Sequence, residues 1–381
     1  MRITEVHDSQ TKRLFHHVLR HIYRKDPHFI HPMENDVDFV FDQDRNPVYA
    51  GAKSQRWVAI DERGIPLGRI AAYYQQGDRT NGGAPLGGLG FFESVDQAPV
   101  AHALFDTALQ WLGNEGIEAV EGPVCLGDVT KYRGVMIEGF SAPTYLENYN
   151  PSYYAQLWES YGFSPLADYD TYRIDRENFD AHRFTNVAEW ISRKPGFEFA
   201  HFAHDQAARF AKDYVEIYNQ AWQGLENFKP ATERLVYNNL KAMRHILVED
   251  FIWFGYVQGE PAGVMVMIPD VNQLLKHVNS KLDTLNRLKF LLLLKTMRMT
   301  QAKGLVFGVV PKYRQYGIET VLIYKFYKAV SQTWQYHTVE LPWIGKTNER
   351  MASLMEKINA VVAKKHRIYR LSLASHKKIH Q

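Results

Sequence analysis

The sequence predicts an α/β chain of the α+β kind, built from two halves with one element order. Three observations carry this. A strand–turn–strand signal occurs twice, at 56–74 and at 251–268, with the turns Glu62-Arg63-Gly64 and Gln258-Gly259-Glu260. A strand–loop–helix junction spans Gly304 to Thr320. The 381 residues suffice for two domains of about 150 to 200 residues each.

The junction is the most informative stretch. Leu305 to Val310 is a short apolar, β-branched run closed by Pro311, which reads as a strand. Ile318, Val321, Leu322, Tyr324 and Phe326 suit a helix packed on a sheet. Arg314 and Gly317 lie between, where free amides and the positive end of the helix dipole favour an anion such as a pyrophosphate. An ordinary strand–turn–helix with a solvated arginine fits the same spacing.

A net charge of +3 gives no footprint for DNA or other nucleic acid. Cys125 is the single cysteine, so no intrachain disulfide or thiolate metal site is expected. His17 and His21 lie one helical turn apart but lack an acidic third ligand on that face, and no metal is expected. The longest aliphatic run, near 290–294, is far short of a membrane span. With no apolar signal-peptide core at the N-terminus, a cytoplasmic location is expected.

In chain order, Arg2 to Val6 reads as a strand and Ser9 as the cap of a helix to about Lys25. After the first hairpin, Gln76 to Gly88 reads as a flexible Gly-rich loop, then Gly88 to Glu93 as a strand. A helix over 97–114 ends at Gly116. Val124 to Tyr149 reads as a long, aromatic-rich, functional loop. Pro151 suits the first turn of a helix stopped by Gly162-Phe163, and Tyr169 to Ile174 closes the half as a strand. The charged stretch from Arg176 to Pro195 marks the boundary. The second half repeats the order: a strand at 197–202, helices at 205–223 and 232–246, the hairpin, helical segments to about Arg298, and the junction. A strand at 338–341, a helix after Asn348 and a strand at 367–373 complete it.

With this order, both halves resemble the GCN5-related N-acetyltransferase (GNAT) fold. Arg314-Gln315-Tyr316-Gly317-Ile318-Glu319 is similar to that family's coenzyme A pyrophosphate loop, with Glu319 where Gly or Ala is usual. Asn150-Pro151-Ser152-Tyr153-Tyr154 through Gly162-Phe163, and Asn348 before its helix, resemble the family's second motif. The first half lacks the pyrophosphate loop. The whole chain resembles an uncharacterised bacterial group of tandem GNAT-like proteins. The resemblance implies two domains, 1–176 without the loop and 177–381 with a degenerate one. Each would be a mixed, mostly antiparallel sheet flanked by helices.

It also implies an N-acyltransferase that uses acetyl-CoA or a longer acyl-CoA as co-substrate and acylates an amine of a small molecule or peptide. The donor would lie between the strands ending at Val310 and Leu341, against Val309, Val310, Arg314, Gln315, Tyr316, Gly317, Ile318 and Asn348. A backbone amide among Gly308, Val309 and Val310 would polarise the thioester carbonyl. Glu340 would serve as base, with Asp270 facing the acceptor and Tyr369 or Tyr316 protonating the leaving thiolate. A surface-strand carboxylate, a loop cap and packed tyrosines fit the same positions. Two other functions fit the fold: a non-catalytic ligand-binding module, and an aminoacyl-tRNA-dependent transferase of the peptidoglycan-bridge type.

Overall fold

A computed structural model describes residues 1–128, 131–224, 228–278, 280–281, 283–333 and 335–373. The first half opens with β1 (Arg2–Glu5) and α1 (Ser9–Ile22). Asp8, not Ser9, caps α1: its carboxylate accepts from the Gln10 and Thr11 amides, and the Thr11 hydroxyl closes a capping box. Next come α2 (Glu34–Val40), β2 (Ala52–Ile60), β3 (Pro66–Arg79) and β4 (Pro85–Ser94). The expected flexible loop at 76–88 is therefore mostly strand, because β3 runs on to Arg79 and turns through Gly83 at φ +83°. The half continues with α3 (Ala98–Asn114), β5 (Ala119–Gly122), β6 (Val135–Glu138), α4 (Tyr154–Tyr161) and β7 (Ser164–Asp175). Pro151 precedes α4 rather than opening it, and Gly162 ends it at φ +111°. The 124–149 stretch contributes β6 and packs inward.

The second half starts with α5 (Ala181–Ser192), a helix inside the expected boundary stretch, followed by β8 (Phe197–His201), α6 (Ala207–Trp222) and α7 (Glu233–Ala242). Then follow β9 (Ile252–Val257), β10 (Glu260–Pro269), α8 (Asn272–Leu275), α9 (Thr284–Thr296), β11 (Gln301–Val309), α10 (Ile318–Thr333), β12 (Thr338–Gly345), α11 (Glu349–Lys357) and β13 (Val361–Ser372).

All strands join one sheet in the order β1-β2-β3-β4-β5-β13-β7-β12-β11-β10-β9-β8, with β6 attached to β13. The last strand of each half crosses to the other. β13 pairs with β5 of the first half, from Tyr369 opposite Gly122 to Ser372 opposite Ala119. β7 pairs with β12 of the second, from Thr338 opposite Asp175 to Gly345 opposite Tyr169. β7 and β13 pair with each other between them. Each half thus shows one parallel contact, β4 with β5 and β11 with β12, in an otherwise antiparallel sheet.

In the first half that parallel contact is sealed. β4 and β5 pair over Leu86–Gly88 and Ala119–Glu121. The chain then follows β4 further, with the Val124 amide donating to the Leu89 carbonyl at 2.8 Å and the Tyr73 hydroxyl donating to the Val124 carbonyl.

Because β5 meets β13 and β12 meets β7, neither half completes its sheet alone. Fragments 1–176 and 177–381 should each lack a cooperative melt by near-ultraviolet circular dichroism and regain one when mixed. Independent cooperative melting of 1–176 would contradict this interlock.

Candidate functional site

β11 and β12 pair only over Gln301–Lys303 and Thr338–Glu340. A β-bulge then leaves Leu305 unpaired between Gly304, opposite Met267, and Val306, opposite Val266. β12 slips in turn between Leu341 and Ile344. Beyond Lys303 and Glu340 the two strands diverge into a cleft. Its β11 wall presents backbone amides. The Val310 amide donates to the Ala262 carbonyl at 2.9 Å. An antiparallel ladder alternates, so with Gly308 opposite Val264 the amides of Phe307 and Val309 turn toward the cleft. Of the three amides expected to polarise a carbonyl, only that of Val309 faces the right way, and Phe307 adds a second. Gly308 is required for another reason: a Cβ there would lie 2.1 Å from the ring of Trp222 on α6.

Above the cleft, Gly317 holds φ +73°, and a Cβ on it would meet Ile191 at 2.6 Å. The amides of Gln315, Gly317, Ile318 and Glu319 have no acceptor among the described residues, the usual state of a helix start. Arg314 reaches back to the carbonyls of Val309 at 3.3 Å and Ala221 at 3.4 Å. Gln315 is exposed and Tyr316 half-exposed against Tyr313. Ile318 is fully buried over Gly255 and Gly263. Asn348 caps α11 by accepting from the Met351 amide at 3.2 Å. Arg350, the second residue of α11, donates to the Arg314 carbonyl at 2.9 Å and to Glu319 at 2.8 Å.

At the closed end of the cleft lies a buried charge cluster. Lys364 of β13 donates to Glu340 at 2.6 Å and to Glu147 at 2.9 Å. Glu147 also accepts from the Thr144 amide at 2.8 Å and from Thr171 at 3.0 Å. Lys303 donates to the Tyr145 carbonyl, and Asp270 accepts from the Tyr145 amide at 2.9 Å and the Asn272 amide at 3.2 Å. Burial pushes Asp270 up to about 6, against the pull of the Tyr145 amide and Lys303. Burial pushes Lys303 down to about 8 despite Glu147 and Asp270. Burial also raises Glu340, with Lys364 opposing. At Glu147, burial is overridden by Lys364, which holds the carboxyl below its ordinary range.

No family model matches the chain. Two curated relatives are each 25% identical. One is the bacterial ceramide synthase of Caulobacter vibrioides, matched over 354 residues, 92% of this chain and 91% of the relative. The other is protein YghO of Escherichia coli, matched over 356 residues, 91% of this chain and 89% of the relative. Among solved structures, a tandem GNAT protein from the clavulanic acid biosynthesis pathway covers 97% of this chain and 98% of its own, at TM-score 0.57 and 11% identity. A GCN5-related glucosamine N-acetyltransferase region of a fungal β-N-acetylglucosaminidase covers 97% of this chain and 38% of its own, at TM-score 0.59 and 10% identity. The fold is that of a tandem GCN5-related N-acetyltransferase.

Within this GNAT fold the expected site residues fall in three places. Val309, Arg314, Gln315, Tyr316, Gly317 and Ile318 gather at the open end of the cleft, and Val310 turns its amide into the sheet. Glu340 and Asp270 meet at the closed end. Tyr369 joins neither: it is fully buried in the first half's core, stacked on Trp158 and donating to Glu159 at 2.9 Å. Five residues of strand, roughly 16 Å, separate it from Lys364, so it is no acid for a thiolate in the β11–β12 cleft. Four residues were missed: Arg350, Lys303, Lys364 and Glu147. The lysines lie in strands and read as ordinary strand charges, and Glu147 and the Tyr145 carbonyl that meet them come from the opposite half.

Removing Lys364 strands two carboxylates. Lys364→Met should cost about 3–5 kcal/mol at pH 7, read by denaturant unfolding. In the variant Glu340 loses the cation that opposed its burial, and burial holds its folded pKa above the unfolded value. The folded state then binds the extra proton, so stability falls as pH rises above the unfolded carboxyl pKa. The deficit against wild type should therefore widen from pH 4.5 to pH 7.

Proposed function

We infer that the protein is an acyl-CoA-dependent N-acyltransferase whose donor site is the β11–β12 cleft of the second half. The observation that carries this is the alignment of free amides. Those of Gln315, Gly317, Ile318 and Glu319 stand at the head of α10, and those of Val309 and Phe307 continue down the cleft wall. A diphosphate at the helix start, beside Arg314 and Arg350, leaves its pantetheine arm to run along β11 as an added strand. The expected domain division, with donor binding in 177–381 alone, agrees with the sealed cleft of the first half.

The chemistry is transfer of the acyl group from sulfur to nitrogen. A neutral amine attacks the thioester carbon, and a cleft amide of β11 stabilises the oxyanion. The C–N bond forms, the C–S bond breaks, and the proton lost by the amine ends on the coenzyme A thiol. Glu340 of β12 stands opposite Lys303, four residues along β11 from Phe307 or roughly 13 Å, and Lys364 holds it. Proton transfer to Glu340 therefore runs through water rather than by direct contact. The relative named a bacterial ceramide synthase supports a lipid amine as acceptor and a fatty acyl group as donor.

Thermal shift and calorimetric titration with acyl-CoAs test the reading. Binding should raise the melting temperature. Arg350→Ala should weaken affinity about tenfold or more, about 1.4 kcal/mol, because it removes a cation and leaves Glu319 facing the phosphates. Adding Glu319→Ala should recover part of that loss. No stabilisation by millimolar acetyl-CoA or micromolar palmitoyl-CoA would refute the donor site.

A further inference from the structure

An apolar cavity, partly open to solvent, lies on the α10–α11 side of the strand split. Phe307 and Leu341 stand at its strand side, Phe326 and Val330 of α10 form one wall, and Met355 and Ile358 at the end of α11 form the other. Its walls are almost entirely hydrocarbon and aromatic. Val330 is 4% exposed, Met355 0% and Ile358 1%.

We propose that this cavity receives the hydrocarbon tail of the donor, making the protein a transferase of long-chain fatty acyl groups. The inference rests on the acyl-CoA reading above and adds where the chain goes and what limits its length. The cavity borders the cleft at two residues. Leu341 is the residue after Glu340, the last member of the β12 pairing with β11, so it marks the point where the cleft opens. Phe307 offers its amide to the cleft and its ring to the cavity. A thioester carbonyl bound at that amide therefore has the cavity beside its acyl chain.

The opposite face carries Trp222 over Gly308 and is left for the amine. Apolar walls left without partner atoms forfeit dispersion contacts that an acyl chain restores. The lining matches the apolar walls of sites that bury small molecules. Each methylene moved from water into such walls strengthens binding about fourfold.

A chain-length series from acetyl- to stearoyl-CoA, below the micelle concentration, tests this with the full chain. Affinity should climb at least a hundredfold between acetyl and lauroyl, then level off when the cavity is full. Val330→Trp and the milder Ile358→Phe should move that plateau to shorter chains. Each should lower the palmitoyl-to-acetyl ratio of kcat/KM, at least tenfold for the tryptophan. A wild-type protein that binds acetyl- and palmitoyl-CoA alike overturns the tail pocket while leaving the donor site intact. An unchanged chain-length plateau in a folded Val330→Trp or Ile358→Phe protein overturns it equally. Failure to bind any acyl-CoA removes the donor reading and this inference with it.

Discussion

The placement of β13 is the constraint on which the architecture depends. Running between β5 and β7, it makes two sheets into one and places Lys364 where no water reaches. A lone ammonium there would be prohibitively costly. Glu147, from the first half's long loop, and Glu340, from β12 of the second, neutralise it. Hydrophobic residues of similar volume would give comparable or greater stability. What the charges add is register: a slip of β13 by one residue would turn Lys364 to the other face and strand both carboxylates. The same cluster pins the 143–147 segment onto Asp270 and Asn272, so the loop closes over the joint rather than over solvent.

The two halves share a plan and divide its use. Both diverge after a short parallel contact. In the first half Val124 continues the hydrogen bonding along β4, and Glu93 is committed to the hydroxyls of Tyr23 and Tyr154. In the second half the bulge at Leu305 and the slip after Leu341 bend the strands apart, and amides remain open. The absence of an Arg-x-x-Gly loop in the first half and the closure of its cleft are thus one fact seen at two levels.

Much of the fold was legible because it is local. Both hairpins, the α10 junction and the caps at Gly162 and Asn348 announce themselves by turn chemistry and periodicity. The strand exchange was not, since β7 and β13 look like ordinary terminal strands and pairing partners far away in sequence leave no local mark. The loop residues of the donor site were legible for the same local reason. Lys303, Lys364 and Glu147 were not, because each reads alone as a surface charge and gains meaning only when three segments meet. Tyr369 misled in the converse way. A tyrosine near the C-terminus of a strand suits an acid, but the exchange carries it into the other half's core.

Glu319 is where sequence and structure pull hardest against each other. A carboxylate in a phosphate loop opposes its own ligand, and one of its oxygens, Oε2, is buried without a partner among the described residues. Arg350 resolves most of this. It neutralises Glu319 at 2.8 Å and, through the Arg314 carbonyl, ties α11 to the loop. The pair therefore replaces the close helix–strand contact that a glycine would allow with a charged brace between α10 and α11. Those same two helices wall the apolar cavity. A brace at their heads and a cavity between their tails are consistent with one design, in which the helices are held apart to admit a chain. A site that used only an acetyl group would have no need of that separation.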